Sequence, residues 1–182
     1  MRITKNETSF ATYHFHELFG SLWINGLIEE SEKFPYTQLN GKRIDKDGSR
    51  IWMHQYDYDT YKNVCNFFKD LETKKFFGEL TGQDYLNLKT RIELCKDTEG
   101  SWLEEHTDDI AKKFTLQLYL SDTNVSTVFD NTSSSATKNS GWFFSNTGKE
   151  KHGLPPLQND RISIIVNYVD ENWVDSSVLV EG

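Results

Sequence analysis

Two stretches of this chain place an apolar side chain at every second position, a pattern that suits a β-strand with one buried face and little else. In residues 161–169, Arg161, Ser163, Ile165 and Asn167 share one face, and Ile162, Ile164, Val166 and Tyr168 share the other. In residues 114–120, Thr115, Gln117 and Tyr119 stand opposite Phe114, Leu116, Leu118 and Leu120. The apolar faces demand a layer packed against them. The polar faces carry groups that are costly to bury without partners, so they suit the wall of a polar site. Residues 88–96 and 141–145 also read as strands, and Asp97-Thr98-Glu99-Gly100 and Asn159-Asp160 read as turns. Residues 51–58 read as extended, with Trp52, His54, Tyr56 and Tyr58 sharing a face, either as an edge strand or as a cleft wall.

The first half has a different period. Phe15, Leu18, Phe19, Leu22, Trp23, Leu27 and Ile28 recur at helical spacing across residues 15–34, with Asn25-Gly26 as a weak point. A second helix is expected from about Thr60, presenting Tyr61, Val64, Cys65, Phe68 and Leu71, and a short third one over residues 74–80. Thr81-Gly82 supplies its C-terminal cap. Between these, residues 38–50 are polar, with Asn40-Gly41 and Asp47-Gly48 as turn signals. Residues 123–140 are rich in Ser, Thr and Asn and read as a long surface loop, a lid or a disordered segment, with 125–129 the one β-like island. Many short strands after a helical start predict a mainly β fold with N-terminal helices, a double-stranded β-helix or jelly roll. The 182 residues are expected to form one domain, with 1–87 a helical support region, 88–169 the β-helix core and 170–182 an acidic tail. Aromatics at 14% of the chain are enough to fill such an interior.

A net charge of -8 and the lack of a basic patch argue against a nucleic-acid partner or an anionic membrane. No window is apolar enough for a membrane span, and the first residues lack the apolar core of a signal peptide. Two cysteines, Cys65 and Cys95, do not make a disulfide framework, and the expected compartment is a reducing cytoplasm.

Chemistry concentrates in Glu104-Glu105-His106-Thr107-Asp108. In extended chain, residues two apart point the same way, so His106 and Asp108 can reach one metal ion together. A second imidazole would complete the two-histidine, one-carboxylate set that suits non-haem Fe(II), and His152 is the candidate. Three protein ligands leave open positions for a bidentate 2-oxo acid and dioxygen. Arg161 could fork onto the far carboxylate of that acid. His14-Phe15-His16 is a rival same-side pair, but it brings no carboxylate.

In this ordered set, His106-x-Asp108, His152 and Arg161-x-Ser163, the chain resembles the Fe(II)/2-oxoglutarate-dependent dioxygenases, and among them the small prolyl-hydroxylase-type members. Residues 115–120 and 141–146 support the match, which spans roughly residues 91–168. The resemblance implies a metal held by His106, Asp108 and His152 at the barrel mouth, and 2-oxoglutarate held by Arg161, Ser163 and Tyr119. It also implies helices bracing the larger sheet, with ascorbate as an accessory reductant. The reaction it implies consumes dioxygen and 2-oxoglutarate, releases succinate and hydroxylates a protein, peptide or small-molecule substrate.

Relatives that halogenate replace the carboxylate ligand by a small residue, and Asp108 therefore favours hydroxylation. A structural zinc site would close with a fourth His or Cys, and zinc hydrolysis leaves Arg161-x-Ser163 without a role. Relatives often carry Gly-Gly-x-Thr after the strand bearing the tyrosine. Here residues 125–129 read Val-Ser-Thr-Val-Phe, so the case for a prolyl substrate is thinner than the case for the metal. The readings to separate are a prolyl hydroxylase, an oxygenase of a free amino acid or other metabolite, and a non-catalytic jelly-roll binding protein.

Overall fold

The computed structural model describes residues 1–7, 9–34, 48–53, 56–130, 132–133, 136–171 and 173. Along these the chain runs β1 (Arg2–Glu7), β2 (Ala11–His16), α1 (Ser21–Lys33), β3 (Gly48–Trp52), α2 (Asp59–Lys69) and α3 (Leu71–Thr81). It continues through β4 (Lys89–Asp97), β5 (Leu103–His106), β6 (Lys112–Tyr119), β7 (Val128–Phe129), β8 (Thr132–Ser133), β9 (Ser140–Ser145), β10 (His152–Leu154) and β11 (Arg161–Val169).

The two alternating stretches are β6 and β11, and they pair at the centre of a seven-stranded antiparallel sheet ordered β1-β2-β9-β6-β11-β4-β3. A smaller sheet, β5-β10-β7-β8, makes the second layer. This is the jelly roll expected from the strand pattern. Because β4, β11 and β6 are in register, alternation on one strand becomes a shared face on three. Asn167 lies opposite Arg91 and Thr115, Ile165 opposite Glu93 and Gln117, and Ser163 opposite Cys95 and Tyr119. That face turns toward the smaller sheet.

The opposite face is apolar and is covered by helices. Phe68 of α2 and Phe77 of α3 join Phe114, Phe143 and Tyr168 in one buried cluster. The Tyr168 hydroxyl donates to the Phe68 carbonyl at 3.1 Å and the Tyr13 hydroxyl to that of Leu80 at 2.6 Å, so the layers are tied as well as packed. Asp70 caps α3 by accepting from the amides of Glu72 and Thr73. Gly82 ends it at φ 71°, a left-handed conformation that favours glycine. Gly141 on β9 answers a different need. A Cβ there would lie 1.9 Å from the Gln117 carbonyl oxygen and 2.6 Å from the Phe15 ring.

The N-terminal region differs from the expectation. The apparent helical period starting at Phe15 crosses two elements, since Phe15 lies in β2 and α1 begins only at Ser21. The true phase of α1 is set by Ile24, Leu27 and Ile28, while Leu22 is 91% exposed. Three strands of the main sheet, β1, β2 and β3, come from the region read as helical support. Residues 123–140 are not a surface loop throughout. They contain β7 and β8, and Ser126, Thr127, Phe129 and Ala136 are buried. Extended chain stops at Trp52, and Tyr56 and Tyr58 pack against Phe34. The side chain of Trp52 and all of His54 lie outside the described residues, as do Asn40-Gly41, Asp47 and most of the tail. Cys65 and Cys95 are both buried, and no disulfide joins them. No helix among the described residues is long and apolar enough to cross a membrane.

Candidate metal centre

The second layer brings the ligands together. β10 pairs antiparallel with β5, placing His152 directly opposite His106, with ring centroids 4.5 Å apart. Asp108 follows the end of β5. One ligand atom from each of the three residues falls within 4.8 Å of the others. Each imidazole is oriented from behind in the same way. Nδ1 of His106 lies 2.9 Å from the Glu104 carbonyl oxygen and Nδ1 of His152 lies 3.0 Å from that of Glu150. A carbonyl only accepts, so Nδ1 carries the proton in both rings and Nε2 is left with its lone pair for a metal.

Asp108 is held on both oxygens. Oδ1 accepts from Lys112 Nζ at 3.0 Å and Oδ2 from the Thr115 hydroxyl at 2.8 Å. Burial by itself raises its pKa, but the charges of Lys112 and His152 and the two hydrogen bonds outweigh that, holding it down to about 2. His152 is buried against Phe129, Trp142 and Phe144. Burial pushes its pKa down, and the attraction of Asp108 only partly offsets this. Both shifts favour the ligating forms, a carboxylate and a neutral imidazole.

The triad opens into a cavity between the sheets, which Arg161, Thr115, Gln117, Thr127, Trp142 and Asn167 also line. Arg161 sits at the start of β11, where it and Asp97 of β4 are register partners. Its Nε and Nη2 both donate to Asp97 Oδ2, at 3.1 and 2.6 Å. Nη1 is buried with no hydrogen-bond partner among the described residues. A buried guanidinium nitrogen in that state fits a missing anion, and a carboxylate in the cavity would supply the acceptor. Two imidazoles and one carboxylate fit a first-row divalent ion such as Fe(II). By these two tests the residues present suit both the metal and a 2-oxo acid.

Ser163 is fully buried, and its Oγ accepts from Gln117 Nε2 at 2.9 Å, while Gln117 Oε1 accepts from the Thr127 hydroxyl at 3.1 Å. Ser163 therefore acts on the cavity wall through Gln117. Tyr119 stands just behind the cavity wall, with its ring 5.9 Å from the Arg161 guanidinium carbon. Its hydroxyl accepts from Trp142 Nε1 at 3.0 Å and from the Thr127 amide at 3.4 Å, inside a second aromatic cluster. His14 and His16 are apart from the triad, and His14 packs edge-on against Phe129.

Sequence reasoning missed Asp97, taken as the start of a turn, and also Arg91, Glu93 and Lys112. A signal for the first three was present. In Arg91-Ile92-Glu93-Leu94-Cys95-Lys96-Asp97, Arg91, Glu93 and Asp97 stand an even number of residues apart, so three charged side chains share the face that carries Arg161 on the next strand.

By sequence, no family model matches the chain and no curated protein matches it. Solved structures do resemble it. A prolyl-4-hydroxylase from Pseudomonas putida superposes with a TM-score of 0.71 over 90% of this chain and 95% of its own, at 11% identity. A prolyl hydroxylase from Trichoplax adhaerens, solved with a peptide fragment of the hypoxia inducible factor oxygen degradation domain, gives 0.69 over 88% and 84%, at 12% identity. HygX from Streptomyces hygroscopicus, solved with nickel and 2-oxoglutarate bound, gives 0.63 over 90% and 84%, at 12% identity. The chain shares the fold of these proteins.

Proposed function

We propose that this protein is an Fe(II)- and 2-oxoglutarate-dependent oxygenase that hydroxylates a C–H bond of its substrate. One observation carries the reading. His106, Asp108 and His152, whose ligand atoms lie within 4.8 Å of one another, and Arg161, whose Nη1 has no hydrogen-bond partner among the described residues, line the same cavity. A metal site alone leaves Nη1 of Arg161 without an acceptor, and an anion site alone leaves the paired imidazoles without a use. HygX, of the same fold, was solved with nickel and 2-oxoglutarate bound.

The chemistry such a group supplies when bound is oxidative, coupling loss of CO2 from the 2-oxo acid to hydroxyl transfer from dioxygen. The chain's own side chains do the rest. His106 and His152 offer Nε2, with their tautomers set by the carbonyls of Glu104 and Glu150. Asp108 supplies the carboxylate that compensates the metal's charge. Arg161, steadied by Asp97, holds the distal carboxylate of the 2-oxo acid. Trp142, Phe144 and Phe129 shield His152 from water, which strengthens each electrostatic contact in the site. A peptidyl proline is the first substrate class to try, since several proteins of this fold are prolyl hydroxylases. Free amino acids and other small metabolites form the second arm.

The test uses purified protein with Fe(II), ascorbate, 2-oxoglutarate and air, incubated with pools of prolyl peptides and of metabolites. Slow succinate formation is expected without substrate, faster formation with one pool, and a product heavier by one oxygen atom. Asp108→Ala should form no succinate. A protein that binds iron and 2-oxoglutarate yet forms no succinate with any pool would be a binding module.

A further inference from the structure

The Asp108 carboxylate is the last member of a hydrogen-bond chain that begins two strands away. On β4, Arg91 and Glu93 form a buried ion pair, with Nη2 donating to Glu93 Oε1 at 2.6 Å. Arg91 Nη1 donates to Asn167 Oδ1 at 2.6 Å, and Asn167 Nδ2 donates to Thr115 Oγ1 at 2.9 Å. The Thr115 hydroxyl then donates to Asp108 Oδ2 at 2.8 Å. Register makes this possible, because Asn167 on β11 lies opposite Arg91 on one side and Thr115 on the other. Glu93, Arg91, Asn167 and Thr115 are each no more than 6% exposed.

The direction of every bond follows from the first. A guanidinium can only donate, so the Asn167 amide must turn its oxygen toward Arg91 and its nitrogen toward Thr115. Thr115 Oγ1 thereby accepts, and its one proton goes to Asp108. Bonds aligned head to tail also polarise one another. We infer that Glu93, Arg91, Asn167 and Thr115 form a positioning chain that fixes the rotamer of Asp108 through Oδ2, while Lys112 holds Oδ1. The inference rests on the reading of His106, Asp108 and His152 as a metal site. It assigns Arg91, which reaches Asp108 through Asn167 and Thr115, a part in metal affinity.

The experiment is calorimetric titration of the full chain with Mn(II), alongside thermal unfolding, for wild type, Asp108→Ala, Thr115→Val, Thr115→Ser, Asn167→Leu and the Thr115→Val/Asn167→Leu pair. Thr115→Val and Asn167→Leu are each expected to weaken Mn(II) binding by about 10- to 100-fold, the usual range for groups that orient a metal ligand. Thr115→Ser keeps the hydroxyl and should restore wild-type affinity. The double variant should lose no more than the worse single one, since both cut the same chain. Wild-type Mn(II) affinity in Thr115→Val and Asn167→Leu, whatever their melting temperatures, would make the network structural only and overturn the inference. Should Thr115→Val not fold, Asn167→Leu and Asn167→Ser carry the same comparison. Equal Mn(II) binding by wild type and Asp108→Ala would instead overturn the metal site itself.

Discussion

Arg161 and Asp97 face each other across β11 and β4, and two guanidinium nitrogens converge on a single carboxylate oxygen, Oδ2. Both side chains are about 4% exposed, so water screens the pair little. The pairing uses the Nε and Nη2 edge of the guanidinium and leaves Nη1 without a partner among the described residues, on a side chain that lines the cavity. Arg161→Ala is expected to weaken 2-oxoglutarate binding by roughly 30-fold or more, since losing one partner of a desolvated charged pair costs about 2–5 kcal/mol. Mn(II) affinity should be unchanged. Calorimetric titration of the Mn(II)-loaded protein measures both, and equal 2-oxoglutarate affinity in variant and wild type would remove Arg161 from the co-substrate site.

The same substitution takes the cation away from a buried carboxylate. Arg161→Ala should therefore lower the unfolding free energy by about 3–5 kcal/mol, and Arg161→Ala/Asp97→Ala should regain part of it. Urea unfolding of the two variants decides this. A double variant less stable than the single would show that Asp97 is held by more than Arg161.

Tyr119→Phe separates two roles for one hydroxyl. Removing it takes the acceptor from Trp142 Nε1 and the Thr127 amide, which should cost about 1–3 kcal/mol of stability. Affinity for 2-oxoglutarate should stay at the wild-type value. A large loss of that affinity would return Tyr119 to the co-substrate site.

Stability of the metal-free protein should fall with pH in two steps. His152 has a lowered folded pKa, so its neutral form contributes stability that is complete above the unfolded value of 6.5 and is lost as pH drops through the folded one. Asp108, held down to about 2, contributes stability present above its ordinary value of 3.8 and lost only as pH approaches 2. Thermal melts from pH 7 downward should show the first decline below about 6.5, and His152→Gln should lessen its slope, leaving the share of His14, whose pKa burial also pushes down. An unchanged slope in His152→Gln would place the titration on another group.

The central strands were legible because their alternation reports one buried face directly. β11 was expected at residues 161–169, which are its observed bounds, and β6 and β9 differ by a residue or two. The triad was legible from spacing and residue type. What misled was the N-terminal segment, where Phe15, Leu18, Phe19 and Leu22 imitate a helical stripe across a strand, a turn and the start of α1. Tyr13 and Phe15 are buried by β9 and the helices, a tertiary contact that local period cannot report. Residues 123–140 misled for the converse reason. A polar composition suggested solvent, yet Thr127 is buried because Gln117 and Tyr119 supply its hydrogen bonds. Arg91 and Asp97 were overlooked because a charged residue in a strand shows its worth only when the neighbouring strand is known.

The proposed oxygenase needs one cavity that holds metal and 2-oxo acid in contact, through His106, Asp108, His152 and Arg161. The most direct measurement is an anaerobic visible-absorption titration, which reports the charge-transfer band of Fe(II) chelated by a 2-oxo acid. The expected band needs protein, Fe(II) and 2-oxoglutarate together, saturates at one equivalent of iron, and is absent in Asp108→Ala and His152→Ala. Iron and 2-oxoglutarate that both bind without producing the band, or a band that survives in both variants, would contradict the oxygenase reading.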